Sequence, residues 1–428
     1  MKEISILSEN IDQVELETHL KTWLDSYSGQ LRKVLLLPPD GTRYHSKAGL
    51  ITQLIYQMLT PGSQVDILPA LGTHLPMTDS ERRFMFGDKI SMERFLDHDW
   101  RKDVVKIGEV PADFVAQVSE GLVSYPIPIE INRRLLDPTY DLIVSIGQVV
   151  PHEVVGMANY SKNILVGCGG KELINKSHFL GAAFGMERMM GRDHTPVRRV
   201  FDYAETEFLK RLPLQYILTV TSTVRTVAAK EETHINGLFI GKSRTLFETG
   251  VRESQKRNLD LLESPLKKVV VYLDPQEFKS TWLGNKAIYR TRMAIADGGE
   301  LLILAPGVRQ FGEDTGIDAL IRKYGYVGSQ KVLALVKQNP DLGDNLSAAA
   351  HLIHGSSEGR FTITYAPGHL TPKEVEAANF KYLSLADALQ TYDPDRLQNG
   401  FNTLPSGEKI FYISNPALGL WALKEKFI

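Results

Sequence analysis

Short apolar runs alternate with helix-like patterns along almost all of the 428 residues, and this alternation constrains the fold more than any other feature. Lys33–Leu37, Gln64–Leu68 and Asp141–Val150 have the composition of buried strands. Gly49–Leu59 and Asp79–Phe86, which lie between them, carry apolar residues at helical spacing. Strands that alternate with helices form parallel sheets, since each helix connects two parallel strands. The sequence therefore predicts an α/β protein.

The length predicts two domains, because a single hydrophobic core rarely grows beyond about 250–300 residues. A helical pattern over Ser243–Leu262 runs into the turn-like segment Glu263–Leu266, and a second series of strand and helix patterns begins at Lys267. We predict an N-terminal domain at residues 1–265 and a C-terminal domain at residues 266–428. Both are expected to be Rossmann-like, with the active-site cleft between them.

Composition excludes several classes of protein. The net charge is −2 and the basic residues are scattered, which argues against nucleic acid as a partner. No apolar run reaches the roughly 18–20 residues of a membrane span, and the acidic N-terminus lacks a signal-peptide pattern. The single cysteine, Cys168, excludes an intrachain disulfide and a thiolate-rich metal site. We expect a cytoplasmic protein that binds a small molecule and no membrane.

The stretch from Pro151 to His178 has the strongest chemical signal. His152 directly follows a strand-like run, Lys162 comes ten residues later and His178 sixteen residues after that. Ligands in open α/β folds bind at the carboxyl ends of strands, where imidazole serves as base or metal ligand and lysine as nucleophile. The turn Gly167–Gly170 follows the strand-like run Asn163–Val166, but it lacks the spacing of a dinucleotide site. His178 could equally be a core residue.

Two further loops follow predicted strands. In the first, Asp40, Gly41, Thr42 and Arg43 could contact an anion, or they could form a helix cap with an exposed arginine. The second contains His74, and a loop histidine alone is more often structural than catalytic. His74 therefore becomes a candidate only through its partners.

The first helix of the predicted C-terminal domain carries Tyr289, Arg290 and Arg292. These side chains could bind the carboxylate or hydroxyl groups of a substrate, because arginine presents a planar fork of donors. An ordinary amphipathic helix with solvated arginines explains the pattern equally well.

Taken together and in order, these motifs resemble the nickel-pincer-dependent lactate racemase family of 2-hydroxy acid racemases and epimerases. The resemblance covers most of residues 30–310: Asp-x-Thr-Arg after the first strand, Gly-Thr-His after the second, then Pro-His, a lysine ten residues later and a histidine near the next helix. Each motif is weak alone, whereas five in this order are specific. The resemblance implies an isomerase that inverts C2 of a 2-hydroxy acid by reversible hydride transfer to its cofactor.

The family resemblance also implies a role for each site residue. The cofactor would be pyridinium-3-thioamide-5-thiocarboxylic acid mononucleotide, made by dedicated biosynthesis proteins and carrying nickel (Ni). By this resemblance Lys162 is the covalent attachment site, His178 the nickel ligand, and His74 and His152 the acid/base pair. Asp40, Gly41, Thr42 and Arg43 would contact the cofactor, with Arg43 near the substrate carboxylate.

One motif departs from the family. The lactate enzymes have Tyr-Gln-x-x-Lys where this chain has Tyr289-Arg290-Thr-Arg292-Met293. Additional guanidinium groups favour a larger or more polar acid than lactate, such as an aldonate or a dicarboxylate. The alternative is a family member without racemase activity, acting as a nicotinamide-type oxidoreductase or a ligand-binding protein. A covalent adduct on Lys162 would separate the two.

Overall fold

A computed structural model describes residues 3–225 and 231–427, which form two units. The N-terminal unit comprises Met1–Ser177 and Met189–Asn258, and the C-terminal unit comprises His178–Arg188 and Leu259–Ile428. The division at residue 265 stays a prediction. The two units differ from it by including His178–Arg188 with the C-terminal part of the chain and by starting that part at Leu259.

The N-terminal unit is built on parallel strands with helical connections. Its strands are β1 (Ile4–Leu7), β2 (Lys33–Leu37), β3 (Gln64–Ile67), β4 (Val104–Val110), β5 (Ile127–Asn132), β6 (Leu142–Gln148), β7 (Pro151–His152), β8 (Gly156–Met157), β9 (Leu214–Arg225) and β10 (Glu231–Gly241). The helices up to residue 258 are α1 (Gln13–Asp25), α2 (Ala48–Leu59), α3 (Asp79–Phe86), α4 (Ala112–Val118), α5 (Ser161–Leu165), α6 (Lys171–Phe184), α7 (Met186–Met189), α8 (Pro196–Ala204) and α9 (Arg244–Asn258). The division between the units falls within α6 and again within α7.

Six of these strands form one sheet in the order β1-β10-β9-β6-β2-β3. β3, β2, β6 and β9 run parallel, and β10 and β1 add an antiparallel edge. Residues Val34–Leu37 of β2 are fully buried, as expected for a parallel strand that is covered on both faces. The carboxyl ends of β2, β3 and β6 consequently lie side by side.

The C-terminal unit is also α/β. Its strands are β11 (Asp260–Leu262), β12 (Leu266–Tyr272), β13 (Ile295–Ala305), β14 (Thr362–Pro367), β15 (Lys381–Tyr382), β16 (Gly400–Thr403), β17 (Lys409–Ile413) and β18 (Trp421–Leu423). Its helices are α10 (Thr281–Gly284), α11 (Lys286–Thr291), α12 (Thr315–Tyr324), α13 (Ser329–Gln338), α14 (Pro340–Gly343), α15 (Leu346–His354), α16 (Pro372–Ala377) and α17 (Leu385–Thr391). The sheet order is β15-β14-β13-β12-β17-β16, in which only the edge strand β16 is antiparallel to its neighbour. The predicted α/β class is confirmed.

Two sequence-based assignments of secondary structure were wrong. Asn163–Val166 was expected to be a strand, but Asn163 to Leu165 belong to helix α5. A run of four mostly apolar residues carries too little periodicity to separate a strand from a buried helical turn. The helix expected over Ser243–Leu262 ends at Asn258, and Asp260–Leu262 instead pair with β18.

The helices in the described residues are short. The longest, α9, has 15 residues, and no helix within 3–225 or 231–427 is long and apolar enough to cross a membrane.

Candidate active site

Three loops of the N-terminal unit leave the same edge of the sheet. Asp40 follows β2, His74 follows β3 and His152 follows β6, and these strands are parallel neighbours. The carboxyl edge of a parallel sheet is where α/β proteins usually bind ligands, because the connecting loops converge there. The structure therefore places three of the predicted residues at one edge.

The loop after β2 turns directly into a short 3-10 helix, Gly41–Ser46. Asp40 caps this helix by accepting hydrogen bonds from the Thr42 backbone at 3.1 Å and from the Thr42 hydroxyl at 2.5 Å. Arg43 is exposed. Asp40 therefore caps this helix, which was one of the two interpretations of the loop, and the Arg43 guanidinium remains accessible to an anion.

Asp40 also makes a short contact with His74, which sequence spacing alone could not reveal. Oδ2 of Asp40 lies 2.5 Å from Nδ1 of His74, with the aspartate side chain 10% exposed and the imidazole 60% exposed. Burial acts to raise the pKa of Asp40, but the hydrogen bonds from His74 and Thr42 outweigh it and lower that pKa. The ionised carboxylate holds a proton on Nδ1 of His74, so Nε2 is left as the basic nitrogen.

His152 is held in a different way. It lies in the two-residue strand β7, which pairs with β8, and only 5% of the residue is exposed. The backbone N–H of Val154 donates to Nδ1 of His152 at 3.1 Å. A neutral His152 therefore carries its proton on Nε2, the opposite tautomer to His74.

Lys162 lies on α5, which is hydrogen-bonded to the neighbouring central strands β2 and β6. The side-chain amide of Asn163 donates to the Leu37 carbonyl at 3.0 Å and to the Ser145 hydroxyl at 2.9 Å. Burial and the positive charge of Arg43 lower the pKa of Lys162 to about 8. A substantial fraction of this amine is neutral, and hence nucleophilic, near physiological pH.

The glycine turn after α5 serves close packing. Gly167 accepts a hydrogen bond from the Gly72 backbone at 2.8 Å, and a Cβ on Gly167 would lie 2.7 Å from the Cβ of Ala70. His98, for which the sequence offered no interpretation, donates from Nε2 to the Gly169 carbonyl at 3.1 Å. Burial lowers the pKa of His98, which favours the neutral form. The glycines thus bring the His74 and Lys162 loops together.

The remaining predicted residues belong to the C-terminal unit. His178 lies on α6, Tyr289 and Arg290 lie on α11, and Arg292 follows α11 directly. Both arginines are buried, at 6% and 4% exposure, so the alternative of solvated arginines on an amphipathic helix is wrong.

Arg292 is held by other protein groups. Its Nε lies 3.3 Å from a carboxylate oxygen of Glu187, and it donates from a terminal nitrogen to the Ser356 carbonyl at 3.2 Å. Arg290 donates to the Gly419 carbonyl at 3.4 Å, a long hydrogen bond. Both guanidiniums thus contact backbone carbonyls of their own unit, and Arg292 also pairs with a carboxylate.

Two histidines of α15 lie close to these residues, although their sequence spacing carried no signal. The ring of His354 lies 6.4 Å from that of Tyr289, centroid to centroid. His351 stacks on Trp282 at 4.3 Å and lies 3.0 Å from the Tyr326 hydroxyl. Burial lowers the pKa of His351 to about 3, so this histidine is neutral and supports the start of the α10–α11 segment.

The nickel-pincer cofactor that the family resemblance implies sets one requirement on the protein. Such a cofactor supplies its own carbon and sulfur ligands, so the protein needs to add only one histidine. Among residues 3–225 and 231–427, a group of three potential metal-ligating side chains occurs at Asp193, His194 and Glu248, where Arg244 already pairs with Asp193 at 2.7 Å. His178 is not part of that group.

Comparisons with known proteins identify the N-terminal part of the chain. Residues 7–189 match the family model described as lactate racemase N-terminal domain. No curated protein matches the sequence.

Two solved structures share the fold. A Thermotoga maritima protein of known crystal structure aligns over 98% of this chain and 100% of its own, with a TM-score of 0.80 and 22% identity. The lactate racemase apoprotein from Thermoanaerobacterium thermosaccharolyticum aligns over 95% and 92%, with a TM-score of 0.69 and 18% identity. Residues 7–189 are thus similar to the lactate racemase N-terminal domain, and the chain shares its fold with the two solved structures.

Proposed function

We propose that this protein is a nickel-pincer-dependent racemase or epimerase that inverts C2 of a 2-hydroxy acid. The observation that carries the proposal is the pairing of His74 with Asp40 on the same sheet edge as the low-pKa lysine Lys162. A base with a fixed tautomer beside a nucleophilic amine is the combination that the reaction and its covalent cofactor require.

Lys162 would hold the cofactor and His178 would bind its nickel. When bound, the cofactor would supply a reversible hydride acceptor for C2 of the substrate. The pKa of about 8 suits Lys162 for its role, because forming the thioamide link consumes a neutral amine. The exposed Arg43 would bind the carboxylate of the substrate.

His74 would take the proton of the C2 hydroxyl on Nε2. The Asp40 carboxylate orients this imidazole and stabilises the imidazolium that forms, as the aspartate does in a Ser-His-Asp triad. Because His74 would remove this proton during the oxidation of C2, the substrate would become a 2-oxo acid without building up negative charge on its oxygen.

His152 would return a proton to the 2-oxo acid. An imidazolium has no acceptor nitrogen, so the hydrogen bond from the Val154 N–H to Nδ1 must be released whenever His152 is doubly protonated. The proposal thus requires a small movement of the β7–β8 hairpin in each turnover.

For the substrate we propose a sugar acid such as an aldonate. Arg290 stands where the lactate enzymes have glutamine, and its buried guanidinium would suit a substrate that offers several oxygen acceptors. Arg292 contributes less to this argument than its sequence position suggested, because Glu187 and Ser356 already engage it. Substrate choice therefore depends mainly on Arg290 and its neighbour Tyr289.

The decisive experiment combines mass spectrometry with an isotope assay. The full chain is produced with the cofactor-biosynthesis proteins and nickel, and a panel of C2-deuterated 2-hydroxy acids is tested. We expect an adduct on Lys162, inversion at C2 and retention of the deuterium. An unmodified Lys162 in protein that inverts a substrate would overturn the cofactor assignment. Reduction of added NAD without inversion would instead support an oxidoreductase.

A further inference from the structure

Arg198 is a fully buried cation that the proposed chemistry has not used. Helix α8 begins at Pro196 behind the cap Thr195, whose hydroxyl accepts the Arg198 N–H at 3.1 Å and donates to the Val155 carbonyl at 2.7 Å. This start directs the Arg198 side chain into the interior, where its exposure is 0%. Its neighbour Arg199, on the same helix, is exposed.

All of the hydrogen bonds that the Arg198 guanidinium donates reach one short segment. One terminal nitrogen donates to the Ser161 hydroxyl at 3.0 Å, and the other donates to the Met157 and Asn159 carbonyls at 2.8 and 3.2 Å. The segment Met157–Ser161 ends directly before Lys162. It also contains two non-glycine residues with positive φ, Asn159 at 68° and Tyr160 at 57°. Such a backbone is strained and keeps its shape only where the surroundings hold it.

The placement of Arg198 is poor for stability. Within the described residues no carboxylate comes within salt-bridge distance of its guanidinium, and Nε is buried without a hydrogen-bond partner. The guanidinium stacks on Phe247 at 4.6 Å. A buried cation with an unsatisfied donor is costly, so an arginine in this position points to a role other than packing.

We infer that Arg198 is a positioning residue for the cofactor-attachment lysine: it clamps Met157–Ser161 and thereby fixes the backbone that presents the Lys162 amine. This inference rests on the proposed function only in that Lys162 is the attachment site. Arg198 acts through this segment and does not itself contact the reacting atoms.

The charge of Arg198 reinforces its geometric role. The pKa of Lys162 is lowered first by burial, then by Arg43, and Arg198 adds to the effect, while Glu153 and Asp40 oppose it. Loss of the guanidinium should raise the pKa of Lys162 both by removing a positive charge and by loosening the segment toward solvent.

The test measures Lys162 in the full chain purified without cofactor. Acetic anhydride pulses over a series of neutral to alkaline pH values label neutral amines, and peptide mass spectrometry gives the titration midpoint and the plateau rate for Lys162. The exposed Lys102 serves as an internal standard, since its side chain is 83% exposed. The variants are R198M, R198K and S161A, with R199M as the matched control on the same helix.

We expect R198M to raise the Lys162 midpoint, so that labelling near neutral pH falls by about threefold or more, as a shift of half a pKa unit produces. R198K keeps the charge but cannot make all three contacts, so its midpoint should stay near wild type while the plateau rate changes. S161A should change the plateau alone. R199M should match wild type, and circular dichroism should show native secondary structure throughout.

A folded R198M protein with the wild-type midpoint and plateau would overturn the inference. If R198M does not fold, unchanged labelling in both R198K and S161A would do so. The proposed function can fail separately. If Lys162 in the apoprotein behaves as expected but never acquires an adduct from the biosynthesis proteins, the racemase proposal is wrong and the positioning role of Arg198 still holds.

Discussion

Nδ1 of His74 lies 2.5 Å from Oδ2 of Asp40, and this contact joins the loop after β3 to the loop after β2. Asp40 simultaneously caps the 3-10 helix that carries Arg43. One carboxylate therefore orients the proposed base and the proposed substrate-binding arginine together. The resemblance to the racemase family implied only a cofactor contact for Asp40, so the structure supports a second role for this residue.

The first prediction concerns this carboxylate. In the cofactor-loaded enzyme, D40N should lower kcat by about 10²-fold or more, because the imidazolium of His74 loses its counter-charge. Asparagine is as good a cap as aspartate, so the fold should be preserved. D12N is the matched control, since Asp12 caps α1 in the same way without a histidine partner. Equal turnover in D40N and D12N would contradict a role for Asp40 in catalysis.

A second prediction follows from the cost of burying Lys162. Its folded-state pKa of about 8 lies below the ordinary value of 10.5, so the unfolded chain binds the proton more tightly. The free energy of unfolding should therefore rise as the pH increases from about 8 to 10.5. In this range the amine is largely neutral in the folded protein and still protonated in the unfolded chain.

The K162M substitution removes the free-energy cost of burying the Lys162 amine. At neutral pH we expect the apoprotein variant to be more stable than wild type by on the order of 2 kcal/mol, with the difference shrinking across that alkaline window. Thermal unfolding followed by circular dichroism at neutral and alkaline pH measures both effects. A K162M protein that is less stable than wild type at neutral pH would show that burial is not what lowers the pKa of Lys162.

The third prediction separates two candidate metal positions. H178A should lose nickel while keeping the adduct on Lys162, because Lys162 and not His178 would attach the proposed cofactor. H194A, which disrupts the Asp193–His194–Glu248 group, should retain nickel, since Arg244 already neutralises that group. Elemental analysis and intact mass of the same samples give both readouts. The reverse pattern of nickel loss would move the metal site to His194.

The sequence could predict the positions of the site loops but not their contacts. Asp40, His74 and His152 were found because each follows a buried strand, and parallel strands bring their carboxyl ends to one edge. The hydrogen bond between Asp40 and His74 joins residues 34 positions apart and depends on loop conformation, which no local pattern encodes.

Arg198 and Arg292 are buried charges whose surroundings could not be predicted from the sequence. A buried arginine and an exposed one look alike in a helical pattern, and only the packing distinguishes Arg198 from its exposed neighbour Arg199. Arg292 lies one position before the residue that corresponds to the lysine of the lactate enzymes, but its pairing with Glu187 depends on a segment more than a hundred residues earlier in the chain. Tertiary contacts of this kind decide which charges remain available for a ligand.

The last prediction tests substrate choice through Arg290. R290Q introduces the glutamine of the lactate enzymes and removes a buried guanidinium that would donate to a polyhydroxylated substrate. We expect kcat/KM for aldonates to fall by about 10-fold or more, while kcat/KM for lactate stays the same or rises, since one lost charge-assisted hydrogen bond is worth roughly 1.5–3 kcal/mol.

R292Q is the comparison for R290Q. Arg292 pairs with Glu187 and donates to the Ser356 carbonyl, so its loss should lower the melting temperature by removing both buried contacts, with the preference between aldonate and lactate unchanged. Steady-state kinetics on both substrates and thermal unfolding of both variants give the answer. If R290Q leaves the aldonate-to-lactate ratio at the wild-type value while R292Q changes it, substrate selection lies with Arg292, and the Glu187 pair is part of the binding site rather than of the scaffold.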